Sequence, residues 1–432
     1  MSEMNSARAF LDELYRIAVN AAHPATCLTQ RLPDPPPRGS IILLAAGKAA
    51  GSMTEIAERH YLDDLGLPPS RLTGAAVTRR GYARPTRNIP VTEAGHPVPD
   101  DASRAAAEQA MRLAADATVD DLVLVLLSGG ASANWIAPAP GLTLAEKQAV
   151  NRALLQSGAA IAEINAVRKH LSRIKGGRLG KLAYPARVVT LAVSDVSGDD
   201  PAVIGSGPTM PDPTTLADAR AVMARFGVDI SESVGRALAD PANETPKPQD
   251  PAFDRTAFRL VARPKDAFRA AEAAIRGKGY DCIFLGDAIE GEAREVAAAQ
   301  ARLARELQAQ GRRGVIVSGG ELTVTIRGKG RGGPNQEFAL ALAQALRGAP
   351  GIAAVAGDTD GTDGGCGSPD DPAGAFIDDT TLARARKLGL DPAAFLAEND
   401  STGFFERLGD LLQPGPTYTN VNDFRAIFVD TL

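Results

Sequence analysis

The sequence predicts an α/β protein built as two domains, and three observations carry that expectation. Apolar runs of strand length alternate with amphipathic stretches of helix length along the whole chain. The runs Ile41 to Ala46, Leu122 to Leu127 and Val188 to Val193 are apolar or β-branched without period-two alternation, as in strands buried on both faces of a mainly parallel sheet. And 432 residues exceed what one ordinary core encloses.

The elements follow in order. Phe10, Leu11, Leu14, Ile17 and Ala18 recur at helical spacing and predict a surface helix over Ala7 to Ala22. Pro33-Asp34-Pro35-Pro36-Pro37 enforces an extended linker. Strand Ile41 to Ala46 runs through Gly47-Lys48 into an Ala-rich helix. Short strands and turns are expected over Val77 to Val91, then a rigid turn at Gly95 to Asp100 and a helix from Asp101. Strand Leu122 to Leu127 precedes helices near Thr143 to Ser157 and Ala160 to Ile174. Strand Val188 to Val193 precedes helices near Thr215 to Phe226 and Ser231 to Ala239. Asp240 to Asp254, rich in Pro, Asn and Asp, is the best internal linker, so domains are expected at 1–250 and 251–432. Alternation resumes with strands at Phe258 to Ala262, Cys282 to Leu285, Val315 to Val317 and Ala353 to Ala356, and a final strand from Phe424.

Composition excludes several classes. Net charge is −5 with no basic block, which argues against nucleic-acid binding. No apolar run approaches the ~20 residues that span a bilayer, and the first ten residues carry no secretory h-region. Cys27, Cys282 and Cys366 lie far apart without metal spacing and fit a reducing cytoplasm. A homodimer is the default expectation for a soluble oligomer.

The chemistry-bearing residues sit where predicted strands end, the place open α/β sheets bind ligands. Lys48 follows a strand–Gly–helix junction suited to anions. Ser128-Gly129-Gly130-Ala131-Ser132 and Ser318-Gly319-Gly320-Glu321 can offer backbone N–H groups to phosphate. Arg168 and Lys175 belong to a cation-rich helix end closing on Gly176-Gly177, which suits either the helix dipole or a polyanion such as a triphosphate. Two acidic loops could hold Mg²⁺: Asp195 and Asp200 in one, Asp358 and Asp360 in the other. His96 stands alone in its turn and reads as a structural hydrogen bonder or a catalytic group.

Glycine turns, cationic loops and acidic loops together are what phosphoryl transfer needs, so a kinase is the leading class. The competitor is a dehydrogenase, because Gly328-Lys329-Gly330-Arg331-Gly332-Gly333 formally matches the dinucleotide fingerprint. A non-catalytic nucleotide or sugar sensor is a third reading.

The ordered set Leu44 to Ala49, Gly95 to Asp100, Leu127 to Ser132, Ser194 to Asp200, Gly205 to Thr209, Gly332 to Glu337 and Gly357 to Gly361 resembles the type II glycerate kinases, the MOFRL family, from the first helix to the C-terminus. The resemblance implies ATP-dependent phosphorylation of D-glycerate to 2-phosphoglycerate with Mg²⁺. Members have also been labelled hydroxypyruvate reductase, an NAD(P)H-dependent activity. It further implies a Rossmann-like three-layer N-terminal domain, a smaller mixed-sheet C-terminal domain and an active site in the cleft. Lys48 and Arg331 are expected to be catalytic, with Asp195 orienting the hydroxyl or binding metal. Gly207, Asn335, Gln336 and Glu337 join the expected substrate- or phosphate-binding positions. The turn Val261 to Asp266 departs from the family pattern, which would have Gly or Asn after the strand.

Overall fold

The computed structural model describes residues 3–228, 231–365 and 367–430, so Cys366 lies outside the described residues. The chain divides into two compact units, residues 27–261 and residues 1–26 with 262–432. Among the described residues, no helix is long and apolar enough to cross a membrane.

The unit 27–261 is organised on a six-stranded sheet. Its strands are β1 (Ile41–Ala46), β2 (Leu72–Arg79), β3 (Val91–Ala94), β4 (Leu122–Leu127), β5 (Arg187–Val193) and β6 (Thr256–Ala262). They lie in the order β3-β2-β1-β4-β5-β6. The pairs β1–β2, β1–β4, β2–β3 and β4–β5 are all parallel. β1 and β4 are buried along their full length, which is why their sequences do not alternate. Strand order reverses between β1 and β4, so the chain leaves these two neighbours toward opposite faces of the sheet. That parting opens a crevice at their carboxyl ends.

The other unit carries a mixed sheet. Its strands are β7 (Asp281–Phe284), β9 (Gly314–Gly319), β11 (Ile352–Asp358), β12 (Gly374–Ile377), β13 (Leu411–Leu412) and β14 (Asp423–Val429), ordered β13-β12-β11-β14-β9-β7. Only the β7–β9 pair is parallel. A further short strand, β10 (Leu322–Thr323), pairs with β8 (Gly291–Glu292) in parallel.

The division expected at 250/251 needs correction at both ends. Residues 240–254 are not a linker. Glu244 bonds the His170 ring and the Leu216 N–H, Thr245 is buried, and β6 then adds a strand to the first sheet. The chain changes unit only after Val261. The helix Glu3–Ala22 belongs to the C-terminal unit, because its apolar face has its partners there. Phe10 stacks on Tyr280 and meets the edge of Phe428, Tyr15 donates to the Asp358 carbonyl at 2.7 Å, and Thr419 donates to the Ala22 carbonyl.

Candidate active site

The turns after β1 and β4 are bonded to each other. The Lys48 N–H donates to the Gly129 carbonyl at 2.8 Å, and the Ala49 N–H to the Ser128 hydroxyl at 2.9 Å. Gly47 N–H reaches sideways to the Val77 carbonyl of β2. Such contact requires glycine. Gly47 has φ +118°, and a Cβ there would lie 2.4 Å from Ser128 Oγ. Gly130 has φ +84°, and a Cβ there would meet the His96 ring at 2.9 Å and the Lys48 side chain at 3.4 Å. Lys48, His96 and Gly130 therefore converge at the ends of β1, β3 and β4, with Lys48 and His96 both partly exposed.

The loop Ser128 to Ser132 continues toward a second group of polar residues. Ser132 Oγ lies 2.9 Å from Ser206 Oγ, which points to Asn165. Lys175 is buried and donates to the Ser132 carbonyl at 2.6 Å. Gly176 and Gly177 N–H groups donate to the Ser206 and Gly207 carbonyls, so Gly207 serves here as a turn residue. Arg168 is partly exposed and donates to Asn151.

Asp195 follows β5 at the same edge and is partly exposed. Asp200 is exposed and caps the Ala202 N–H. In the other unit Asp358 accepts from the Asp360 N–H, and Asp360 accepts from both N–H and hydroxyl of Thr362. Among the described residues, no three His, Cys, Asp or Glu side chains gather into a set that could hold a metal ion. A Mg²⁺ that arrives on phosphates needs only one or two protein oxygens and no such set.

Several C-terminal positions expected at a ligand are built into the interior instead. Ser318 is buried and bonded to Gln300, Gly319 N–H donates to the Gly286 carbonyl, and a Cβ on Gly320 would strike Ile289. The Gly319 N–H of the expected Ser318 to Glu321 nest is thus taken by the protein itself, and Glu321 is exposed. Asn335 donates to Asp363 and Asp423, Gln336 donates to Asp363 and accepts from Thr402, and Glu337 pairs with Arg294 and Asn399. All three are buried. Their polar side chains tie the helix Pro334–Leu346 to its surroundings.

The glycine run of the dehydrogenase alternative has a structural cause too. A Cβ on Gly328, Gly330 or Gly332 would lie 2.1–2.4 Å from atoms of Glu398, Asp400 or Ser401. These glycines let one chain segment lie flat on another. The true first turn of the parallel sheet, after β1, has Ala49 and Ser52 where the fingerprint needs its second and third glycines. Arg331, in the glycine run, is well exposed and ion-paired with Glu406 at 2.8 Å.

Comparison with known proteins agrees with this geometry. A family described only as a domain of unknown function matches residues 10–239, more than half of the chain, and the MOFRL family matches residues 314–423. The D-glycerate 2-kinase of Thermotoga maritima is 37% identical, with 98% of each chain covered. The chain belongs to the type II glycerate kinase, or MOFRL, family. Other members include a putative hydroxypyruvate reductase of Agrobacterium vitis, 47% identical over 98% of this chain and 95% of that one, and a human glycerate kinase, 35% identical over 91% and 85%. The crystal structure of a Thermotoga maritima glycerate kinase shares the family fold with a TM-score of 0.85 at 36% identity, covering 98% of this chain and all of that one. A cavity of about 780 Å³ is lined by Asp101, Arg104, Thr143, Gln148 and Arg173 among others.

Two predictions follow from the site's packing. Gly130→Ala places a methyl against His96 and Lys48 at a left-handed φ; kcat/KM should fall at least tenfold with the circular dichroism spectrum unchanged, and unchanged kinetics would refute the convergence of these three residues. Burial, then the neighbouring Asp423 carboxylate, push Asp363 up to about 7 against the donors of Asn335 and Gln336. A carboxyl raised in the folded state adds stability below its unfolded value near 4, and that stability is lost as pH rises through about 7. Melting temperature should therefore drop between pH 5 and pH 8, and Asp363→Asn should flatten the slope; an unaltered slope would assign the drop elsewhere.

Proposed function

We propose that this protein transfers the γ-phosphoryl group of ATP to the 2-hydroxyl of D-glycerate, giving 2-phosphoglycerate and ADP. The observation that carries the reading is the contact between the Gly47-Lys48 and Ser128-Gly129 turns at the reversal of strand order, in a chain similar over its length to a D-glycerate 2-kinase. That crevice offers a flexible cation beside close-approaching backbone, which suits phosphate oxygens.

Lys48 is assigned to the charge on the transferred phosphoryl group and Arg331 to a second anionic group. The Arg331 side chain makes an exposed pair with Glu406, and such pairs are weak enough to exchange for a ligand. Asp195 is assigned to orient the glycerate hydroxyl, whose oxygen attacks phosphorus as the bond to ADP breaks. Bound Mg²⁺ would neutralise phosphate charge, with Asp195 and Asp200 as one candidate pair of protein oxygens and Asp358 and Asp360 the competing pair. The backbone of Ser128 to Ser132, with Arg168 and Lys175, is assigned to oxyanions. A cytoplasmic location and a homodimer are the proposed setting and assembly.

An enolase-coupled assay with ATP, Mg²⁺ and D-glycerate tests this directly. Signal without added phosphoglycerate mutase is the expected result. Signal only with mutase would move the product to 3-phosphoglycerate, and oxidation of NADH or NADPH by hydroxypyruvate without any ATP-dependent product would overturn the kinase. In the same assay Lys48→Ala and Arg331→Ala should each lower kcat by about 10²–10³, and turnover near wild type would remove the residue concerned from the mechanism.

A further inference from the structure

The segment from Arg327 to Gly332 alternates cation with glycine, and the fold uses the two sets differently. Cβ atoms on Gly328, Gly330 and Gly332 would fall 2.1–2.4 Å from Glu398, Asp400 and Ser401, so these positions lie flush on that neighbouring stretch. The backbone is pinned there too. Asn399 Oδ1 accepts from the Arg327 and Gly328 N–H groups at 2.7 and 3.0 Å. The Glu398 carbonyl accepts from the Gly330 N–H at 2.8 Å, and Asp400 Oδ1 from the Arg331 N–H at 3.1 Å. Asn399 is itself fixed, since its Nδ2 donates to the buried Glu337 carboxylate at 3.1 Å. The intervening Arg327, Lys329 and Arg331 are all exposed.

Those backbone N–H groups are spent on the protein, so the segment is no backbone phosphate turn. What it offers is side-chain charge on a fixed base. Surface cations are ordinarily interspersed with carboxylates. Here Glu406 pairs with Arg331, but Arg327 and Lys329 make no ion pair among the described residues. At the end of the run Ser401 Oγ is buried against Gly332 and has no hydrogen-bond partner, so the chain's own groups do not use up the polar atoms there. Four residues of chain span at most about 14 Å, which keeps all three cations within reach of one small polyanion. Linked phosphates match such a row, with arginine giving paired donors and lysine a point charge.

We infer that Arg327 and Lys329, in line with Arg331, bind the polyphosphate chain of the nucleotide, on the phosphates that are not transferred. The inference rests on the kinase reading for the identity of that nucleotide. It adds two residues to the site and gives the alternating glycines a purpose: they seat the segment firmly enough to hold like charges side by side.

The test is calorimetry on the full chain with ADP, inorganic tripolyphosphate and D-glycerate. Arg327→Gln combined with Lys329→Gln should melt as wild type does, because neither side chain has a partner among the described residues. It should bind ADP and tripolyphosphate about tenfold or more weakly and D-glycerate unchanged. Arg386→Gln with Lys387→Gln, two exposed cations of the helix Thr381–Lys387, should leave all three affinities intact. Unchanged ADP affinity in the first variant would make its cations ordinary solvated charges and overturn the inference. So would an equal loss in the second variant, which would reveal only general attraction. A loss for ADP without one for tripolyphosphate would overturn it as well, since the contact would then be to the nucleoside. Turnover of D-glycerate with ATP is scored separately. A wild type that binds ADP but phosphorylates no D-glycerate loses the kinase reading and keeps the site. An active kinase whose first variant binds ADP normally loses the site and keeps the reading.

Discussion

Everything at the candidate site depends on two turns being close enough to share hydrogen bonds. The Lys48 N–H meets the Gly129 carbonyl, and the Ser128 hydroxyl meets the Ala49 N–H, only because Gly47 and Gly130 have no side chains to hold the loops apart. The parallel register aligns the ends of β1 and β4, Ala46 opposite Leu127. From there the chain departs to opposite faces, and polar groups fill the space between. A cation, an imidazole and small hydroxyl residues thus collect at one edge of a sheet whose two central strands, β1 and β4, are wholly apolar.

The C-terminal unit uses polarity differently. Arg425 is completely buried, bonded to Asp423, to Asn335 and to the Gly319 and Gly320 carbonyls, and Asn335 passes the connection on to Asp363. This network joins the start of a helix, two strands and a loop. Interior hydrogen bonds of this kind fix a unique arrangement only when nearly every member is satisfied. That explains why so many polar residues near strand ends there are unavailable to a ligand.

The sequence disclosed most of the fold because buried parallel strands announce themselves as apolar runs, and because Gly47 and Gly130 mark the places where backbones touch. It misled where polar residues do interior work. Asn335, Gln336 and Glu337 look like ligand contacts in a one-dimensional reading, since nothing in their spacing reveals Asp363, Thr402 or Arg294 as partners. The glycines from Gly328 to Gly333 look like a phosphate turn for the same reason. The boundary after Val261 was hidden because the turns of 240–254 carry linker composition yet are pinned by Glu244 and Thr245.

The helix Glu3–Ala22 is made long before the strands it packs against. Its partners reach to Phe428, and the hydrogen bond from Thr419 to Ala22 closes a separation of 397 residues. At translation rates of ~5–20 residues per second, those residues take roughly 20 seconds or longer to emerge. Through that interval the nascent chain can complete the intervening unit, 27–261, while an amphipathic helix with a bare apolar face waits beside the ribosome. The protein's exposure to chaperones and to misassociation during synthesis is set by this one circuit of the chain.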